Sequence, residues 1–123
     1  MSLHPHILIV EDDPEQANLY AMVLETASYE VETAPDAETG FIRMREHPAD
    51  LVIIDWDLPG MKGDAFVLLL KEEFPRVLTV LYSNHAEIER AAATSGADAW
   101  LFKMTGIVRL RQLINELLPL KAA

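Results

Sequence analysis

The chain has no cysteine. A disulfide framework and a thiolate metal site are therefore excluded. No apolar run approaches the ~20 residues needed to span a bilayer. The amino terminus lacks the charged start and long apolar core of a signal peptide, so a cytoplasmic location is the expectation. Basic residues are scarce: 10 Lys and Arg stand against 20 Asp and Glu, a net charge of −10. Gripping nucleic acid needs a basic face, so this balance argues against a domain that does so by itself. Repeats, linkers and low-complexity tracts are missing as well. What remains is a chain of 123 residues, 50% hydrophobic, enough for one domain with its own core. The expectation is a single domain over 1–123, with residues 1–4 an unstructured or cloning-derived start.

Short apolar runs alternate with stretches of helical spacing. "HILIV" (6–10), "EVETA" (30–34), "LVII" (51–54), "VLTVLY" (77–82) and "AWLF" (99–102) read as strands. Residues 14–27 put Ala17, Tyr20, Val23, Leu24 and Ala27 on one helical face, and residues 105–118 do the same with Ile107, Leu110, Ile114 and Leu117. Segments 36–46, 64–73 and 86–95 fill the other gaps as helices, and Pro119 stops the last one. This alternation implies right-handed crossovers and a parallel sheet covered on both faces. "ILIV" and "LVII" suit central strands, apolar on both sides; "EVETA" alternates and suits an edge.

In such open sheets, ligands bind beyond the carboxyl ends of the strands. Almost everything polar that interrupts these runs lands on that rim: "EDDPEQ" after the first strand, Asp55 and Asp57 after the third, "SNH" after the fourth, Lys103 after the fifth. Asp13 precedes Pro14 and stands three residues before Gln16, which reads as a helix N-cap with proline at the first helical position. Glu11 and Asp12 have no such explanation. Two acids there and a third at Asp55 resist ionisation together, and a Mg²⁺ ion inverts that logic, because a hard cation prefers carboxylates, a carbonyl and waters. Lys103 projects from the same rim, where its ammonium can pair with Asp55 at rest and with a phosphoryl group once one is attached. Ser83 offers a hydroxyl to the same spot. Together these groups suit phosphoryl transfer to a carboxylate, with Asp55 as nucleophile.

At these residues the chain resembles the receiver domain of two-component response regulators, over almost its whole length. The pieces that carry the resemblance are "ILIVEDDP", "DLVIIDWDLPGMKG", "LYS" and "SGADAWLFK", in that order. It implies a flavodoxin-like, doubly wound α/β fold: a five-stranded parallel sheet, strand order 2-1-3-4-5, with five helices. It implies Asp55 as phospho-acceptor, charged by a histidine kinase or histidine phosphotransfer protein, in a domain that catalyses only its own phosphorylation and dephosphorylation. By the same analogy Asp12, Asp55 and the backbone carbonyl of Asp57 hold Mg²⁺, with Glu11 acting through water. Ser83 matches the switch hydroxyl, Trp100 the switch aromatic and Lys103 the family's lysine. The partner-binding surface would switch in response, for an output domain or protein.

Four departures stand out. Met104 replaces the proline that usually follows the lysine, so the Lys103–Met104 bond is expected to be trans. Lys62 replaces an acid in the turn after the third strand. Asn84 stands where the family carries a small residue, which is expected to slow exchange of the phosphoryl group. The segment from Ser83 to Lys103 is short, so a trimmed fourth helix is expected. Two other functions fit parts of the pattern. One is an unphosphorylated pseudo-receiver, favoured by Asn84 and opposed by the complete set Glu11, Asp12, Asp55, Ser83 and Lys103. The other is an aspartate-nucleophile phosphatase, because "DWDL" resembles the motif of haloacid-dehalogenase-type enzymes. That motif sits on a first strand and has Thr or Val where this chain has Pro59.

Overall fold

A computed structural model describes residues 4–120. The first three residues of the expected unstructured start lie outside the described residues, while the ring of His4 lies 3.0 Å from the Ser28 carbonyl. Strands and helices alternate without exception: β1 (His6–Val10), α1 (Pro14–Thr26), β2 (Glu30–Ala34), α2 (Ala37–Glu46), β3 (Leu51–Ile54), α3 (Gly63–Glu73), β4 (Leu78–Tyr82), α4 (Ile88–Ser95), β5 (Ala99–Leu101), a single 3₁₀ turn (Lys103–Thr105) and α5 (Ile107–Leu117). The sheet has the order β2-β1-β3-β4-β5, and every neighbouring pair is parallel.

Successive side chains of a strand point to opposite faces, so each central strand feeds two cores. Leu8, Val10, Val52, Ile54 and Leu81 face α2, α3 and α4, where they meet Met44, Phe66, Leu70 and Ile88. Ile7, Ile9, Leu51, Ile53 and Val80 face α1 and α5, where they meet Tyr20, Leu24, Leu110 and Ile114. Burying each such side chain contributes about 1.5–3 kcal/mol. Their near-complete burial along β1 and β3 explains why those strands lack the polar alternation seen in β2.

The helix ends follow the sequence signals closely. Asp13 caps α1, its Oδ1 accepting the Glu15 N–H at 3.0 Å, with Pro14 in first position. Gln16 does not complete a capping box; its side chain is used elsewhere, as described below. Helix α4 is the shortest at 8 residues, and it starts without a side-chain cap. Its missing first turn is replaced by local bonds: the Ser83 hydroxyl accepts the His85 N–H at 3.1 Å, and His85 Nδ1 accepts the Glu87 N–H at 3.1 Å. No described helix is long and apolar enough to cross a membrane.

Candidate functional site

The carboxyl ends of β1, β3, β4 and β5 bring Glu11, Asp55, Ser83 and Lys103 to one rim. Glu11 is 4% exposed, Asp55 8% and Ser83 2%, whereas Asp12 and Asp57 are exposed. Carboxylate oxygens of Glu11, Asp12 and Asp55 all lie within 4.8 Å of one another. The donors are all oxygen, and the exposed Asp12 leaves one side open to water. That set fits a hard divalent cation of the Mg²⁺ kind.

Lys103 makes the contacts that tie the rim together. It follows β5, and β4 lies between β5 and β3, so its side chain reaches across the end of β4 toward Asp55. On the way its ammonium passes 6.0 Å from the centre of the Tyr82 ring. It ends 3.5 Å from Asp55 Oδ2, but closer to Glu11 Oε1, at 2.7 Å. The expected pairing with Asp55 is thus present, with Glu11 as the nearer partner. Gln16 Oε1 accepts a third contact from Lys103 at 3.1 Å and a hydroxyl bond from Tyr20 at 2.8 Å.

This geometry sets the charges. Burial pushes the Glu11 carboxyl up to about 7; the Lys103 hydrogen bond opposes that shift and the negative charge of Asp55 adds to it. Burial pulls the Lys103 ammonium down, but the Glu11 hydrogen bond and the charges of Asp55 and Glu11 outweigh it, so its pKa is raised. Burial also raises the phenol of Tyr20, up to about 12.

Asp55 is held from its own loop. Its Oδ1 accepts the Asp57 N–H at 3.1 Å. The Asp57 carboxylate faces outward, 3.4 Å from the Ser83 hydroxyl and 3.9 Å from the Lys62 ammonium. At rest, therefore, Ser83 donates to Asp57 rather than to Asp55. Trp56 Nε1 donates to Asp64 at 3.1 Å, and Gly63 N–H donates to the Trp56 carbonyl at 2.9 Å. These two bonds fasten the start of α3 beneath the loop. Gly63 is required there: a Cβ at this position would sit 2.5 Å from the Asp55 carbonyl oxygen and 2.7 Å from Trp56 Cα.

Two of the departures turn out to be one structural unit. No described peptide bond is cis, so Lys103–Met104 is trans as expected. Unlike proline, Met104 carries an N–H, and that N–H donates to Asn84 Oδ1 at 2.7 Å. Asn84 is exposed, and its carbonyl oxygen is committed to the loop after β5 instead of to Asp55. Trp100, half-buried in β5, lies opposite Leu81 in register. Its ring packs edge-on against Phe102, 5.2 Å between centroids. The Ser83 N–H donates to the carbonyl of Leu101, the residue after Trp100, at 3.2 Å.

Sequence reasoning missed Gln16, Tyr20 and Tyr82 as neighbours of Lys103. The helical spacing from Gln16 to Tyr20 was the available signal, since it stacks both side chains on one face at the start of α1.

The sequence model of the response regulator receiver domain matches residues 7–115. Nitrogen assimilation regulatory protein NtrX of Azorhizobium caulinodans is 36% identical over 98 residues, covering 78% of this chain and 22% of that protein. Response regulator GtcR of Aneurinibacillus migulanus is 32% identical over 98 residues, covering 79% of this chain and 40% of that protein. The chain thus spans less than half of either relative. Among solved structures, the receiver domain of NtrX from Brucella abortus superposes with a TM-score of 0.85 at 28% identity, covering 94% of this chain and 99% of that one. Chemotaxis protein CheY4 of Vibrio cholerae shares the fold with a TM-score of 0.87 at 24% identity, over 94% and 99% of the two chains. With the family matched across both cores and the whole acidic rim, this chain belongs to the receiver domains of two-component response regulators.

Proposed function

We propose that Asp55 is the phospho-acceptor of this receiver domain and that one phosphoryl group on it is the signal. The observation that carries this is convergence: a buried carboxylate with one oxygen fixed by a backbone N–H, a half-buried ammonium 3.5 Å from the other, and a buried hydroxyl one side chain away. The donor is a phosphohistidine of a histidine kinase or phosphotransfer protein. A carboxylate oxygen of Asp55 attacks phosphorus, the P–N bond breaks as the P–O bond forms, and the donor imidazole leaves with its nitrogen pair and takes up a proton. Lys103 neutralises the charge that accumulates on the phosphoryl oxygens. Asp12, Asp55 and the Asp57 carbonyl would hold Mg²⁺, with Glu11 one water away; when bound, the ion supplies further charge neutralisation at those oxygens. The domain turns over no other substrate. It acts in the cytoplasm, as a single unit whose signal is read by an output domain or protein.

Incubation with phosphoramidate and Mg²⁺ tests this reading. The intact mass should rise by one phosphoryl group, and Asp55→Asn should not label. Equal labelling of Asp55→Asn would overturn it. Commitment of the Asn84 carbonyl oxygen to Met104 weakens the case for an unphosphorylated pseudo-receiver, since that case leaned on Asn84.

Metal binding has its own expected result. Mg²⁺ relieves repulsion among three carboxylates, so at about ten times its dissociation constant it should add ~1.4 kcal/mol of stability, a rise of about 5 °C in melting temperature. Asp12→Ala should lose that rise. An equal rise in Asp12→Ala would place the ion elsewhere.

The signal should leave the site through Ser83. A phosphoryl group on Asp55 offers acceptor oxygens stronger than the 3.4 Å contact to Asp57, so the hydroxyl should change partner and draw the loop after β4 inward. Ser83 is bonded to Leu101, which links that shift to Trp100. Beryllofluoride, a phosphoryl mimic, should move the indole NMR signal of Trp100, and Ser83→Ala should abolish the movement. The Trp56 signal provides the occupancy control. An undiminished Trp100 response in Ser83→Ala would rule out the coupling.

A further inference from the structure

The opposite rim of the sheet holds a second cluster of ligating side chains. His6 opens β1, Glu32 lies in the middle of β2, and His47 caps the end of α2. About 13 Å of strand separates His6 from Val10 and the acidic rim beyond it. One imidazole nitrogen from each histidine and a Glu32 oxygen all lie within 4.8 Å of one another. His6 Nε2 is 3.1 Å from Glu32 Oε1, and His47 Nδ1 is 3.1 Å from the same oxygen.

The His6 ring is the unusual member. Its side chain is 8% exposed, and among the described residues its buried Nε2 makes no hydrogen bond. The other ring nitrogen, Nδ1, lies 3.5 Å from the Pro48 carbonyl. A ring that gives its Nδ1 proton to that carbonyl presents a bare lone pair at Nε2, aimed at a carboxylate oxygen. Two electron-rich atoms then face each other, the His6 one buried and the Glu32 one half-buried, an arrangement a cation resolves. A backbone carbonyl that fixes the far nitrogen is also the usual support of a metal-binding histidine.

We propose that His6, Glu32 and His47 form a second cation site, for a borderline divalent transition ion of the Zn²⁺ class. Two imidazoles and one carboxylate are the ligands such an ion prefers, whereas Mg²⁺ prefers the all-oxygen rim. Two ligands held ~2.0–2.1 Å from a tetrahedral ion are about 3.3 Å apart, close to the 3.1 Å edges of this cluster. One adjustment is needed. The two rings are stacked, 4.2 Å between centroids and 16° between planes, while an ion must lie in the plane of each ring it binds. The His47 side chain is 60% exposed, so it has room to turn out of the stack and complete the site, exchanging its 3.1 Å hydrogen bond to Glu32 Oε1 for the ion. Water takes the remaining position. The Arg43 guanidinium, 4.0 Å from Glu32 Oε2, is the cation an incoming ion displaces.

The test is a ZnCl₂ titration of the untagged chain at near-neutral pH with excess MgCl₂, which keeps the acidic rim occupied. Calorimetry should give one ion per chain. Imidazole ¹⁵N spectra should shift for His6 and His47 and stay unchanged for His4 and His85. Loss of an outer-shell partner alone weakens a metal site about 10–100-fold, so His47→Gln and Glu32→Gln should each weaken Zn²⁺ binding at least ~10-fold. Asp12→Ala should leave it unaltered. Absence of binding, equal affinity in His47→Gln, shifts at His4 or His85 instead, or a His6 ring protonated on both nitrogens and indifferent to Zn²⁺ would each overturn the proposal.

Discussion

Replacing Lys103 by methionine is expected to destabilise the metal-free domain by about 3–5 kcal/mol at pH 8, because it leaves buried acids facing each other without their cation. Glu11 and Asp55 both lose the ammonium, at 2.7 and 3.5 Å, and Gln16 loses a donor. The pH dependence gives this prediction its signature. Glu11 is an acid whose folded pKa, about 7, lies above its ordinary value of 4.5. Its ionisation therefore opposes folding, and stability falls as pH rises through that interval. Lys103 holds the Glu11 value down, so its removal drives that value higher and carries the fall on to higher pH. Thermal melts should show a larger gap between wild type and Lys103→Met at pH 8 than at pH 5. Mg²⁺ should restore part of the loss by supplying another cation. A gap that is constant with pH and indifferent to Mg²⁺ would mean that Lys103 matters only through packing.

Gly63→Ala is expected to cost about 3 kcal/mol and also to slow phosphorylation by phosphoramidate up to ~100-fold. The added Cβ meets backbone, not a side chain that can swing away: the Asp55 carbonyl oxygen and Trp56 Cα. Either α3 retreats, breaking the Gly63–Trp56 bond, or the peptide carrying Asp55 moves. Gly96 provides a control. It ends α4 with φ +81°, and a Cβ added there would meet nothing within 4 Å, so Gly96→Ala costs roughly 1–2 kcal/mol through backbone strain alone. Labelling rates should be normal in Gly96→Ala and depressed in Gly63→Ala, measured well below both melting temperatures. Normal labelling in Gly63→Ala would show that the loop tolerates the displacement.

The sheet was legible because its central strands are nearly all aliphatic and its helices repeat with the right period. Strands β1, β2 and β3 fall where the apolar runs do, to the residue. Boundaries slipped where side chains replace helical bonds. Helix α4 begins at Ile88 rather than at 86, because Ser83 and His85 tie up the preceding backbone. Helix α5 begins at Ile107 rather than at 105, because the chain first makes a 3₁₀ turn and then passes Gly106 at φ +92°. The acidic rim was legible as a rim, since each polar residue ends an apolar run. Its pairings were not. Contacts of Lys103 with Glu11 and Gln16 join residues 92 and 87 positions apart, and nothing in a linear pattern ranks Glu11 above Asp55 as the nearer partner. The bond between the Asn84 carbonyl oxygen and the N–H that Met104 has and proline lacks was likewise not legible, since the two residues stand 20 positions apart.

The central claim is that the phosphoryl group sits on Asp55, and chemical mapping tests it most directly. Borohydride reduces an acyl phosphate to an alcohol, so a phosphorylated aspartate becomes homoserine and survives proteolysis. After phosphoramidate treatment in Mg²⁺ and reduction, peptide mass spectrometry should find homoserine at position 55 and at no other carboxylate. Homoserine at position 57 or 12, or an unreduced aspartate at 55 in a protein that carries the phosphoryl mass, would contradict the account.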